Sequence, residues 1–258
     1  MDLELAGKVV LVTGGTDGLG LALARSLVAE GAAVAVCGRD EVRRTRAAEA
    51  LSHGPGEALV LPADVTRPED LRAFVEASVA RWGRIDGVVH NAGKAAAGTI
   101  EALDDAAWEE DLALKVLGAV RLTRLALPHL RARGGSVVFT LAMAAKAPGA
   151  SSEPSSVSRA AGMALMKALS KELAPDGIRV NAVLIGLIES GQWVRAAEAT
   201  ETELLDFYAH SAKGAGIPLG RFGRADEFAD LACYLLSARS SYLTGTAINL
   251  DGGLSPAV

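Results

Sequence analysis

The sequence reads as a single α/β domain built on a doubly wound parallel sheet, and three observations lead there. The chain has 258 residues, half of them apolar, enough for one large core and short of the length at which cores usually divide. Short β-branched runs alternate with longer stretches of helical periodicity along the whole chain. The first of those runs ends in a glycine-rich turn, TGGTDGLG at residues 13–20, that opens a helix.

The runs, in order, are KVVLVT (8–13), AVAVC (33–37), ALVLPADV (58–65), IDGVVHNAG (85–93), SVVFTLA (136–142), RVNAVLIG (179–186) and AINLDGG (247–253). They predict about seven strands with helices between them, a Rossmann-like order. A helix is expected from about Pro154 to Leu173, with Pro154 near its first turn, Ala160, Ala161 and Gly162 on one side, and Pro175 and Gly177 beyond its end. Residues 188–216 are of mixed polarity and contain Trp193, Phe207, Tyr208 and His210. They are read as a helical lid over a pocket, since long insertions in compact domains are usually functional. No internal repeat or linker interrupts the chain, so residues 1–258 are taken as one domain carrying that lid.

Composition excludes several classes. The formal charge is −5, and no basic run exceeds RARG (131–134) or VRRTR (42–46), so nucleic acid is not an expected partner. There is no uninterrupted apolar stretch of about 18 residues and no basic, cleavable leader pattern. Membrane association is not expected, and a cytoplasmic location is. Cys37 and Cys233 have no paired spacing and are read as reduced core residues.

Within the first turn, Gly14 allows a tight bend, Gly18 gives backbone access to a pyrophosphate, and Gly20 lets the helix pack on the strand. From these residues the chain resembles the short-chain dehydrogenase/reductase (SDR) family over nearly its whole length. Thr13, Gly14, Thr16, Asp17, Gly18, Leu19 and Gly20 stand on the family's Thr-Gly-x-x-x-Gly-x-Gly loop. Asp64 and Val65 stand on the pair that flanks adenine, and Asn91, Ala92 and Gly93 on the Asn-Ala-Gly turn. IRVNAV (178–183), GRFGRADE (220–227) and SYLTGTAINLDGG (241–253) complete the match. Gly186 keeps the glycine of the family's Pro-Gly, and Ser190 keeps a hydroxyl near the nicotinamide amide.

The resemblance implies a nicotinamide cofactor. At the end of the second strand this chain has Gly38 and Arg39 where NAD-preferring relatives place an acid. Arg39 would pair with a 2′-phosphate, so NADP(H) is expected over NAD(H). Asp40 keeps NAD(H) open, because a slip of one residue would bring its carboxylate to the ribose.

The resemblance also implies a tyrosine, a lysine four residues later, a serine on the preceding strand and an asparagine on the long preceding helix. Those positions fall on Ser155, Arg159, Ala142 and Lys115, so the chain reads as an atypical member. Alanine has no donor, serine is shorter and less acidic than a phenol, and Arg159 keeps a charge but does not relay protons. Lys115 is the first candidate for a replacement donor; the alternative is that it has lost that role and points along the helix surface or pairs with an acid such as Asp111 one turn earlier. Tyr208 and His210 are further candidates from the lid, while His90 is read as structural and Glu153 as a carboxylate at a helix start.

Two functions follow. One is an atypical NADP(H)-binding enzyme acting on a hydrophobic carbonyl compound, ketoreductase-like or in secondary-metabolite tailoring, with a non-redox isomerase, dehydratase or cyclase in the same class. The other is a catalytically silent subunit or binding protein. Family resemblance implies a homotetramer or homodimer, with a hetero-oligomer containing an active relative also open. The candidate catalytic residues are Lys115, Ser155, Arg159 and Tyr208, and no metal ligand set is present in the sequence.

Overall fold

The computed structural model describes residues 1–258. Seven strands form one parallel sheet: β1 (Val9–Thr13), β2 (Ala33–Gly38), β3 (Glu57–Pro62), β4 (Gly87–His90), β6 (Gly135–Ala142), β8 (Ile178–Ile185) and β9 (Ala247–Leu250). Their order is β3-β2-β1-β4-β6-β8-β9, so the chain winds outward from β1 to one edge and then from β4 to the other. All seven strands read from the sequence are found, and the fold is a Rossmann-like parallel sheet. The β-branched runs are buried on both faces, as a sheet covered by helices on both sides requires: β1 is buried at every position.

The helices are α1 (Gly18–Ala29), α2 (Glu41–Ala50), α3 (Pro68–Trp82), α4 (Asp105–Leu112), α5 (Gly118–Arg131), α6 (Ser155–Glu172), α7 (Gly191–Ala199), α8 (Leu204–Ala215) and α9 (Ala225–Leu236). They bury two separate cores. One lies between the sheet and α3, α5 and α6, with Cys37, Phe74, Phe139 and Met166 in it. The other lies under α1 and α9, with Leu23, Leu27, Phe228 and Cys233. Both cysteines are buried and unpaired.

Two features set the geometry of the carboxyl edge of the sheet. Between α4 and α5 the helix widens into a turn of π-helix, Ala113–Leu117, a local expansion common at functional sites. A two-residue antiparallel ribbon, β5 (Ala97–Gly98) with β7 (Glu153–Pro154), ties the loop after β4 to the start of α6. Neither was expected from the sequence: both are set by tertiary contacts rather than by a periodicity. Glu153 lies in this ribbon rather than in the first turn of α6, and one of its carboxylate oxygens is buried without a hydrogen-bond partner.

The small-residue side of α6 divides differently from the expectation. Gly162 faces the interior, where an added Cβ would stand 2.9 Å from Leu141 Cδ2. The outward stripe is Val157, Ala161, Ala164 and Ala168, with Val157 45% exposed.

Candidate active site

At the end of β1 the chain turns at Gly14, whose φ of 64° suits a residue without a side chain. A Cβ on Gly20 would stand 2.4 Å from the Gly14 carbonyl oxygen and 2.5 Å from Asn91 Nδ2, so α1 packs on the turn only because Gly20 is bare. Asn91 locks the turn from the other side: its Nδ2 donates to the carbonyls of Thr13 (3.0 Å) and Gly14 (3.1 Å). Thr13 Oγ1 accepts from the backbone N–H of Asn91 and of Ala92, each at 3.1 Å. Asp17 caps α1 by accepting from Gly18 N at 2.8 Å, a preferred N-cap arrangement. Thr16 is buried against Gly38, and Leu19 packs at the rim of the α1 core. Ser190, the residue before α7, stands close to the same turn: a Cβ on Gly18 would lie 3.5 Å from the Ser190 Cβ. Gly186, just past the end of β8, is pressed on Asp251 and donates its N–H to Leu250 O at 3.0 Å.

Three arginines surround the end of β2. Arg39 Nη1 lies 3.3 Å from Asp64 Oδ2, with the Arg39 side chain 69% exposed. Arg43 Nη1 lies 3.4 Å from Asp17 Oδ2. Arg44 donates to the carbonyls of Gly38 (3.2 Å) and Arg39 (2.5 Å) and so fixes the strand end. Burial acts to raise the Asp64 pKa, but hydrogen bonds from the Thr66 N–H and hydroxyl and the charge of Arg39 outweigh it and hold the carboxyl below its ordinary value. Val65, next to it, is buried and lines the cavity described below. The Asp40 carboxylate accepts from Arg43 N at 2.8 Å and caps α2. Helix capping, a local interaction, decides its direction.

A bare turn at a helix N-terminus beside an arginine cluster fits a dinucleotide carrying an extra phosphate. Thr13, Gly14, Asp17, Gly18 and Asn91 would shape its cradle, and Arg39 and Arg43 would face the added charge.

Beyond this turn lies a polar cluster. Lys115, at the middle of the π-turn, has a side chain only 1% exposed. Its ammonium forms an ion pair with Asp111, equally buried, and donates to Ser155 Oγ at 2.5 Å. Ser155 Oγ also accepts from Ala96 N at 3.2 Å, a contact made by the loop that the β5–β7 ribbon holds in place. Ser158 Oγ donates to Asp111 at 2.6 Å. Burial lowers the Lys115 pKa from the ordinary lysine range; Asp111 opposes this and the charge of Arg159 adds to it. Lys115 therefore pairs with Asp111, as one of the two sequence alternatives held, and touches Ser155 as well.

Arg159 is one turn after Ser155. Its Nη1 donates to Thr140 O at 2.6 Å, and its guanidinium runs under Gly93, where a Cβ would stand 2.7 Å from Nη2. Burial lowers its pKa to about 10, which leaves it charged at neutral pH. Lys115, Arg159, His90, Thr13 and Thr140 line a cavity of about 10 Å³, and Thr140 Oγ1 is buried there without a partner. His90 Nε2 lies 2.8 Å from Thr123 Oγ1, and burial lowers its pKa to about 3: it is neutral and structural, as read from the sequence.

Ala142 ends β6. Tyr208 is not among the residues of this cavity. Its ring packs against Phe222 (centroids 4.9 Å apart) in a cluster with Trp193 and Ile217, and burial raises its pKa, with the charge of Glu189 adding to the effect. His210 is exposed and its Nδ1 lies 2.7 Å from the Asp206 carbonyl, within α8.

Sequence reasoning missed Ala96, Thr140, Ser158 and Arg43. Ser158 carried a signal, at i+3 from Ser155 on one face of α6. Ala96 and Thr140 act through backbone atoms, for which residue type gives none.

The parallel sheet with a dinucleotide-type turn at its carboxyl edge defines a nucleotide-binding α/β protein. Residues 14–255 match the family described as enoyl-(acyl carrier protein) reductase, and the chain belongs to the short-chain dehydrogenase/reductase family, a family of oxidoreductases. It is 36% identical over 256 residues to a protein of Streptomyces virginiae described as a ketoacyl reductase of the monensin polyketide synthase, covering 97% of this chain and 98% of that one. A short-chain oxidoreductase of Pseudomonas aeruginosa PAO1, solved with NADPH and described as containing an atypical catalytic center, superimposes with a TM-score of 0.92 at 37% identity, over 97% of this chain and 98% of that chain. L-sorbose reductase of Gluconobacter frateurii, solved with NADPH and L-sorbose, gives a TM-score of 0.95 at 33% identity over the full length of both chains.

Proposed function

We propose that this chain is an NADP(H)-dependent reductase of a hydrophobic carbonyl compound, in which the proton reaches the substrate through Ser155 and Lys115 instead of a tyrosine. The observation that carries the reading is the pair of hydrogen bonds donated to Ser155 Oγ, from Lys115 Nζ and from Ala96 N. They occupy both lone pairs of the hydroxyl, so its own hydrogen is what it has left to offer a substrate oxygen. Lys115 then returns a proton to Ser155. Its burial makes the ammonium a readier acid, and Asp111 keeps it charged until that moment.

A bound NADPH would supply hydride. Arg39 and Arg43 would hold its 2′-phosphate, and Arg159, anchored on Thr140 O, would place a fixed positive charge beside the developing alkoxide. Arginine in that role stabilises charge without joining the proton path. Nearby NADPH-bound structures support the cofactor choice. The ketoacyl reductase relative is in keeping with a substrate that has an apolar body.

The test is NADPH oxidation by the purified protein with a panel of hydrophobic cyclic ketones and, for contrast, ketose sugars. Turnover of a hydrophobic ketone that falls by about 10²–10⁴ in both Lys115→Met and Ser155→Ala is expected, the size of a lost general acid. Turnover that survives both changes overturns the relay.

The second reading is a silent subunit, and one observation favours it: Lys115, Ser158 and Arg159 are each engaged by Asp111, Ser155 or backbone, as in a purely structural network. Absence of turnover with retained NADPH binding selects it. Installing Ala142→Ser, Ser155→Tyr and Arg159→Lys together should then create reductase activity in the existing frame.

A further inference from the structure

We infer that Asp17 links cofactor binding to the lid: a 2′-phosphate draws Arg43 away from Asp17, and Asp17 then takes Arg195 of α7. This rests on the proposed NADP(H) reading and extends it to a residue, Arg195, that has no other role in the site.

The argument begins with Gly191, the first residue of α7. A Cβ there would stand 2.8 Å from Asp17 Oδ2 and 3.2 Å from Arg195 Nη1. The bare glycine thus lets the lid rest on the phosphate-binding turn, with the Asp17 carboxylate and the Arg195 guanidinium on either side of it. Asp17 uses Oδ1 to cap α1, so only Oδ2 is free to choose a cation. In this structure that cation is Arg43, at 3.4 Å, and both side chains of the pair are 44% exposed. Such a pair is weak and easily exchanged.

A cofactor diphosphate at the α1 N-terminus would bring anionic charge close to Asp17, which raises the demand for a cation there. A 2′-phosphate beside Arg39 would compete for Arg43 with a stronger, doubly charged acceptor. Arg195 is the remaining cation at Asp17, and it belongs to α7, the first helix of the proposed lid. NADH, without the 2′-phosphate, leaves Arg43 where it is. The lid would therefore distinguish the two cofactors even when both are bound.

The measurement is amide hydrogen exchange of residues 188–216 by mass spectrometry, with NADPH and NADH each at saturation as judged by a separate fluorescence titration. NADPH should slow exchange in this segment by about three- to fivefold, the scale of one exposed ion pair, and NADH should not. Arg195→Gln should abolish the NADPH effect with the cofactor still bound. Asp17→Asn keeps a good N-cap and should abolish it too, which separates the charge from the cap. Equal protection by the two cofactors, or full NADPH protection in Arg195→Gln, overturns the inference while leaving the cofactor assignment standing. Failure of NADPH to bind in the titration overturns both.

Discussion

Lys115 and Asp111 place opposite charges on one helix turn with side chains 1% exposed, and each depends on the other. Removing one partner of such a pair strands the other charge in the interior, which typically costs about 3–5 kcal/mol. Lys115→Met should therefore lower the urea midpoint sharply, and Lys115→Met with Asp111→Leu should recover most of the loss. A fully stable single variant would mean that water reaches Asp111. The titration of Lys115 has a definite sign. Its folded pKa lies below the ordinary 10.5 because of burial, so between the two values the unfolded chain holds a proton that the folded chain has released. Its contribution to stability rises with pH across that window and is least favourable below it. For a donor the activity runs the other way: kcat/KM should fall as pH rises through the lowered value, and Lys115→Met should remove that limb. A limb unchanged in the variant would assign the titration elsewhere.

At the scale of elements, two junctions can be tested. The first is the β1–α1 turn, where Gly20→Ala would drive a methyl to 2.4 Å from the Gly14 carbonyl. Overpacking of this kind costs about 1–3 kcal/mol, and we expect a lower thermal midpoint together with at least a tenfold weaker NADPH titration. The second is the start of α9. Glu227 accepts two hydrogen bonds from Arg221 (2.9 and 2.7 Å) and one from Arg224 N (2.7 Å), and these lower its pKa to about 2. A carboxyl so depressed contributes stability that is complete above its ordinary value of 4.5 and is lost as pH falls through about 2. Glu227→Gln should flatten that part of an acid-unfolding curve; an unchanged curve would show that the Arg221 contact forms equally in the unfolded chain. The ribbon β5–β7 works by a different means. It holds Ala96 against Ser155 across the long loop between β4 and α4, and in the proposed relay it would act through backbone position alone.

For the whole molecule, the number and positions of the strands were written in the apolar runs, because burial on both faces forces a continuous β-branched pattern that survives without any knowledge of contacts. The cradle around Gly14, Gly20 and Asn91 was equally readable, since bare positions and a locking amide are demanded by close backbone approach. The polar cluster was only half readable. Lys115, Asp111, Ser155 and Arg159 stood out as residue types, but the π-turn that directs Lys115 inward and the backbone atoms of Ala96 and Thr140 depend on packing between distant segments. Tyr208 and Phe222 show the same limit: both residues were in view in the sequence, and their contact was not. Association of copies is expected along the outward stripe of α6. Val157→Asp should shift a homodimer or homotetramer toward monomer by light scattering, and an unchanged mass would exclude this face.

The two thiols reside in different cores, Cys37 on one face of the sheet and Cys233 on the other, and burial raises the pKa of each to about 12. A thiolate is the reactive form, so an alkylating reagent at neutral pH meets an inert native protein. Each sulfur becomes a clock for the opening of its own half, and comparing the two modification rates would tell whether the layers of this sheet come apart together or one before the other.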